Sequence, residues 1–213
     1  MRPLTDTTPK PLLAAGGKPL IVWHLEKLAA AGFTQIVINH AHLGALIENA
    51  LGDGARFGVT IAYSREGEAL QAAGGIANAL PLLSDGPFAA VNADVYSDYD
   101  YTRLAGAIAR LAQPGPVAHL ALVDNPEHHP TGDFALHGAA VGLDGARLTF
   151  SGIAAYRPEM FAGIARGAKA QLAPLLREQI AAQRVSGEHY RGRWRDIGTP
   201  QRLAEINREL ATR

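Results

Sequence analysis

The chain has 213 residues, 47% of them hydrophobic, enough to bury one full core and to predict a single domain. Lys plus Arg and Asp plus Glu count 20 each, so there is no global basic field to bind nucleic acid, and anion chemistry has to come from local placement of charge. There is no cysteine, which excludes a disulfide scaffold and a Cys-based metal site. No apolar run reaches the length of a membrane span or signal-peptide core, so the expectation is a soluble, cytoplasmic protein.

The opening MRPLTDTTPKPLL sets two cations, Arg2 and Lys10, among prolines and threonines. The prolines on either side of Lys10 favour extended backbone and narrow the reach of its side chain. KPLIVWHLEKLAAAGF then reads as a helix, with Pro19 suited to its first turn and Gly32 to its stop. QIVINH is a β-branched run of strand length, LGALIENAL a helix closed by Gly52, and VTIAYS a strand. GGIANALPLL reads as a helix, PFAAVN as a strand, YTRLAGAIARLA as a helix and AHLALV as a strand. This alternation predicts an α/β fold with a Rossmann-like mixed sheet, mostly parallel, flanked by crossover helices.

After Val123 the rhythm changes. A polar loop, DNPEHHPTG, leads into hairpin-like DFALHG and LTFSGIAAY. A helix LAPLLREQIAAQ, short strands in VSGEHYRGRWRDIG and a terminal helix from Pro200 follow. The pattern divides the chain into a nucleotide-type α/β half, 1–123, and an α+β half, 124–213, that completes the site. No linker-like composition separates them.

Ligands of open parallel sheets bind beyond the carboxyl ends of the strands. Asp94 falls there, after FAAVN, and Asp196 lies on a late short strand before a Gly-Thr-Pro helix start. Two carboxylates from distant segments suit a hard divalent cation such as Mg²⁺; a turn aspartate and a surface aspartate are the plainer readings. A positioned Lys10 ammonium is what phosphoryl or nucleotidyl transfer needs, whereas a solvated loop lysine is the ordinary alternative. Gly74–Gly75 at a helix start would let a base or phosphate approach backbone N–H groups, or would simply cap the helix. GDGARFG follows a helix rather than a strand and so fails as a dinucleotide fingerprint. His40, His42, His128 and His129 lack helical i, i+4 spacing and read as loop histidines, not a zinc site.

RPLTDTTPKPLL, AAGF, VINH, EGEALQAAGG, VNADV and WRDIGTPQRL, in this order, resemble the sugar-1-phosphate nucleotidyltransferase family along the whole chain. HLGALIENALGDGARFGVTIAYS, LVDNPEHHPTGDF, LTFSGI, LAPLL and SGEHYRGRWRDIGT resemble its short uridylyltransferase branch, which serves bacterial cell-wall recycling. The resemblance implies transfer from UTP to a sugar 1-phosphate, with N-acetylmuramic acid α-1-phosphate favoured, and Mg²⁺ as cofactor. It implies no nucleic-acid or membrane partner. In that family a first strand and a glycine-rich turn of the type L-A-A-G-x-G-x-R precede the match to MRPLT. The expectation is that this piece, roughly a dozen residues, is missing and that Met1 is an internal methionine of the motif.

Position by position, the resemblance implies that Arg2 meets the triphosphate and that Lys10 bridges the α-phosphate and the sugar phosphate. Glu68, Ala73 and Gly74 fall in the base-recognition loop. Asp94 and Asp196 would hold Mg²⁺, and Asn92 lies beside them. Gly132 and Asp133 match the sugar-binding G-D-F segment, with Ser151 and Gly152 bordering the sugar. Ala93 and Ala73 stand where glycines are usual, and no E-K-P segment precedes TFSGI. Two further readings are a guanylyltransferase for mannose or heptose 1-phosphate and a non-catalytic sugar-nucleotide-binding protein. A Rossmann oxidoreductase ranks third, because no GxGxxG follows a strand.

Overall fold

The proline-rich entry segment makes two single 3-10 turns, Leu4–Asp6 after Pro3 and Lys10–Leu12 after Pro9, before a minimal hairpin of β1 (Ala14–Ala15) and β2 (Lys18–Pro19). Gly16 and Gly17 form its turn, both at positive φ, where a side chain would be strained. The structure, a computed structural model, describes residues 1–211. In chain order there follow α1 (Leu20–Ala30), β3 (Gln35–His40), α2 (Gly44–Leu51), β4 (Thr60–Arg65), α3 (Gln71–Ala79), β5 (Phe88–Val91), β6 (Val95–Ser97), α4 (Thr102–Leu111) and β7 (Ala118–Val123). The second half adds β8 (Phe134–His137), β9 (Ala140–Gly142), β10 (Arg147–Tyr156), α5 (Leu172–Ala181), β11 (Val185–His189), β12 (Trp194–Asp196) and α6 (Pro200–Ala211).

The chain forms two compact units. One comprises residues 1–69, 92–101 and 193–213; the other comprises 70–91 and 102–192. In the first, β3 pairs parallel with β4 across the crossover helix α2, and β6 pairs antiparallel with β12. Two apolar clusters fill it. Leu25, Ile38, Ile47, Leu51 and Ile61 pack around the parallel pair, while Leu20, Tyr96, Ile197, Leu203 and Ile206 join α1, β6 and α6.

The second unit holds a sheet of order β5-β10-β7-β11-β9-β8. Its central strand β7 is buried along its full length, which AHLALV supports because it carries apolar residues on both faces. Leu120, Leu122, Phe88, Tyr156, Phe161 and Leu176 form the core. The sheet is mixed as expected, but parallel pairing does not dominate it: only β7 and β11 run parallel, and its other ladders are antiparallel. The reason is the connections. β8 and β9 are joined by a turn too short for a crossover, so that pair must reverse direction, and β10 runs antiparallel to each of its partners β5, β7 and β8. No helix among the described residues is long and apolar enough to cross a membrane.

Candidate active site

Lys10, Asp94 and Asp196 all lie in the first unit. Pro9 is extended, and Leu12 N–H donates to its carbonyl at 2.8 Å, which closes the short turn that carries Lys10. Asp94 sits in the turn before β6, where Val95 N–H donates to Asn92 O at 3.4 Å. Lys10 Nζ reaches Asp94 Oδ2 at 2.5 Å. The β6–β12 ladder sets Asp196 opposite Val95, and Ile197 N–H donates to Asp94 O at 3.0 Å. The backbones of the two aspartates, distant in sequence, therefore meet at the end of this ladder. Arg202, from the first turn of α6, donates through Nη1 to Asp196 Oδ2 at 2.6 Å.

Each carboxylate is about one-third exposed, at 36% for Asp94 and 31% for Asp196, and each faces a cation, Lys10 and Arg202 respectively. Among the described residues no three or more of His, Cys, Asp or Glu gather into a metal-holding cluster, so an all-protein cage is absent from them. Two open, hard oxygen donors fit Mg²⁺, which takes one or two carboxylates and leaves its other positions to water and phosphate oxygens.

The remaining sequence candidates of this unit are exposed. Arg2 pairs with Asp6 at 3.3 Å, Asn92 lies on the turn itself, and Glu68 follows Gly67 on a loop. A cavity of about 390 Å³ beside Lys10 is lined by Pro9, Asn39, His40 and His42, among others. His40 is tied to Glu48 at 2.8 Å, and Arg65 grips the same carboxylate with two hydrogen bonds. Chiefly through Arg65, with help from His40, the Glu48 pKa is held down to about 2.

The second unit carries the other candidates. Ala73 and Gly74 are buried at the start of α3, and both amides donate to Ala170 O at 3.1 Å. A Cβ on Gly74 would lie 2.3 Å from Ala168 O, so close packing alone already requires glycine there. Gly132 has φ +61, and Asp133 accepts from Phe150 N–H at 2.8 Å and contacts His129 at 3.2 Å. Ser151 is buried; its hydroxyl donates to Ala121 O at 2.6 Å and accepts from Ile153 N–H at 3.1 Å, while Gly152 takes φ +77 in a bulge of β10.

Sequence reading alone passed over two residues beside the aspartates. His24, on α1, is buried: one ring nitrogen lies 2.7 Å from Val95 O and the other 2.7 Å from Tyr101 Oη. A carbonyl only accepts, so Nε2 carries the proton and Nδ1 accepts from the tyrosine. Arg202 is the other, and its available signal was a cation in the first turn of a capped helix.

A lysine and an arginine thus lie on two carboxylates of one unit, at the end of the β6–β12 ladder of an α/β fold. The chain belongs to the nucleotidyl transferase family, whose profile matches residues 1–132. It is 55% identical over 210 residues to the N-acetylmuramate alpha-1-phosphate uridylyltransferase of Neisseria meningitidis serogroup B, covering 96% of this chain and 90% of that protein. It is 36% identical over 132 residues to a mannose-1-phosphate guanyltransferase of Emericella nidulans, covering 61% of this chain but only 36% of that protein's length. A solved Bacillus anthracis structure assigned as a glucose-1-phosphate thymidylyltransferase superposes with a TM-score of 0.85 at 19% identity, covering 99% of this chain and 89% of that one, and shows the same fold.

Proposed function

We propose that the protein transfers a nucleotidyl group from a nucleoside triphosphate, UTP favoured, to a sugar 1-phosphate, N-acetylmuramic acid α-1-phosphate favoured, with release of pyrophosphate. The observation that carries this reading is the ion pair of Lys10 with Asp94 at the end of the β6–β12 ladder, the ladder that also carries Asp196. Likeness to the Neisseria uridylyltransferase over nearly the whole chain supports the choice of nucleotide and sugar. The role that we attach to this reading is cytoplasmic cell-wall recycling. The chain acts as one nucleotidyltransferase domain: residues 1–123 serve the nucleotide and 124–213 serve the sugar.

The sugar phosphate oxygen attacks the α-phosphorus. A new P–O bond forms, the bond to the β-phosphate oxygen breaks, and pyrophosphate leaves with the electron pair. The nucleophile is already an anion, so no side chain has to remove a proton from it. Lys10 places a fixed positive charge where the equatorial oxygens gain charge. Asp94 and Asp196 would hold Mg²⁺, which supplies Lewis-acid neutralisation of the phosphates when bound. Arg2 meets the triphosphate. By the family likeness Glu68, Ala73 and Gly74 belong to the base-recognition segment, the last two as buried backbone. Asn92 belongs beside the cation, within reach of ribose or sugar, and Gly132, Asp133, Ser151 and Gly152 to the sugar side.

A second reading, guanylyl transfer to mannose or heptose 1-phosphate, draws on the likeness to the mannose enzyme and on Ala73, where the uridylyl pattern favours glycine. The test is pyrophosphate release by the full gene product with Mg²⁺, with UTP and GTP crossed against N-acetylmuramic acid, mannose and heptose 1-phosphates. The expected outcome is turnover with UTP and the muramic sugar. Asp94→Asn should lower it by about 100-fold or more, since several kcal/mol of charge stabilisation would be lost, with an unchanged circular dichroism spectrum. Near-normal turnover in that variant, or none in the folded wild type with any pair, would overturn the reading.

A further inference from the structure

Arg202 stands where its own helix disfavours it. α6 begins at Pro200, so Arg202 lies in the first turn, at the positive end of the helix dipole. Capping does not explain it either, because Thr199 Oγ1 already accepts from Arg202 N–H at 3.2 Å. The guanidinium instead folds back over the helix start onto Asp196, with Nη1 at 2.6 Å from Oδ2 and Nε at 3.5 Å from Thr199 Oγ1. Gly198 makes the room: a Cβ there would lie 2.5 Å from Nη2 and 3.1 Å from Cζ of Arg202.

We infer that Arg202 is a phosphate-binding residue of the transfer site, stored on Asp196 and passed to a substrate phosphate oxygen when Asp196 turns to a divalent cation. This rests on the nucleotidyl-transfer reading. The pairs Lys10–Asp94 and Arg202–Asp196 offset charge at two carboxylates whose backbones meet at one ladder end. A carboxylate that gives its lone pairs to a dication gives fewer to the guanidinium, and a planar fork of N–H donors is suited to phosphate oxygens. Arg202 therefore competes with the cation for Asp196 before substrate arrives, and binds substrate afterwards.

The two halves of this exchange predict opposite signs, which a merely structural arginine would not. Mn²⁺ alone is the first probe, titrated by electron paramagnetic resonance; inorganic pyrophosphate, added with saturating Mn²⁺, is the second. Arg202→Gln should bind Mn²⁺ more tightly, roughly twofold to fivefold, the worth of a part-exposed ion pair. It should bind pyrophosphate roughly tenfold or more weakly, the loss of a charged hydrogen bond, with Arg202→Lys in between. Mn²⁺ binding that is equal or weaker in Arg202→Gln overturns the exchange, as does wild-type pyrophosphate affinity in that variant. These outcomes leave the transfer reading standing if the wild type still releases pyrophosphate. Wild-type protein that binds no Mn²⁺ overturns both.

Discussion

His24 donates to Val95 O and accepts from Tyr101 with no solvent beside it, and burial lowers its pKa from 6.5 to about 4. The unfolded chain keeps the ordinary value, so between these two values it takes up a proton that the folded protein refuses. Stability is therefore full above about pH 6.5 and falls as the pH drops toward 4, with a total loss of roughly 3 kcal/mol. Glu48 works in a lower window. Its depressed pKa contributes stability that is present above the ordinary 4.5 and is lost only as the pH falls toward 2. His24→Gln keeps an N–H for Val95 O but does not titrate, so it should cost stability at pH 7.5 and flatten the decline to pH 4.5. Urea denaturation at the two pH values measures this. A decline equal to that of the wild type would mean that another group binds the proton.

Tyr156 closes β10, its ring 5.4 Å from Phe161 and 6.1 Å from Phe88 between centroids, and its buried hydroxyl has no hydrogen-bond partner among the described residues. An orphaned hydroxyl in an apolar core costs free energy, and its removal leaves the ring packing in place. Tyr156→Phe should thus be neutral or stabilising by about 1 kcal/mol, read as an equal or higher Tm; a clear drop would reveal a partner for the hydroxyl. The same strand shows what was legible in the sequence. LTFSGIAAY reads as a strand because β-branched and aromatic residues fill it, but the bulge at Ser151–Gly152 depends on Ala121 of β7, which no local pattern encodes. Longer elements such as α1, β3, α2 and β7 follow their periodicity closely. β1, β2 and β9, of two or three residues each, are too short to carry any, and β6 exists as a strand only because β12 arrives from the far end of the chain. Direction of pairing was also illegible, since alternating strands and helices give the order of elements but not which strands lie side by side.

The first unit is assembled from three separated stretches, and its last, from Arg193 onward, supplies half of the β6–β12 ladder. That arrangement explains why Asp94 and Asp196 could be named from sequence motifs, whereas the arginine on Asp196 could not. Each aspartate sits in a distinctive local context, but the partnership of Arg202 with Asp196 needs the folded helix start and the gap at Gly198. The glycine pair at 74–75 shows the converse: the sequence pattern fits an open approach to backbone amides, yet the fold closes Gly74 against Ala168 and Ala170. Because the unit is discontinuous, its stability depends on both ends of the chain. Ile197, Leu203 and Ile206 are at most 9% exposed and pack with Leu20 and Tyr96. Each contributes roughly 1.5–3 kcal/mol by burial, a sum comparable to the whole margin of about 5–15 kcal/mol that holds a domain folded. A chain ending at Gly192 would also leave the backbone of β6 without its ladder partner. Such a truncation should lose the first unit's cooperative unfolding transition and all divalent cation binding. Urea titration followed by Trp23 fluorescence, with Mn²⁺ titration alongside, measures both losses. If the shortened chain kept a sharp Trp23 transition, β12 and α6 would be additions to this unit rather than part of its core.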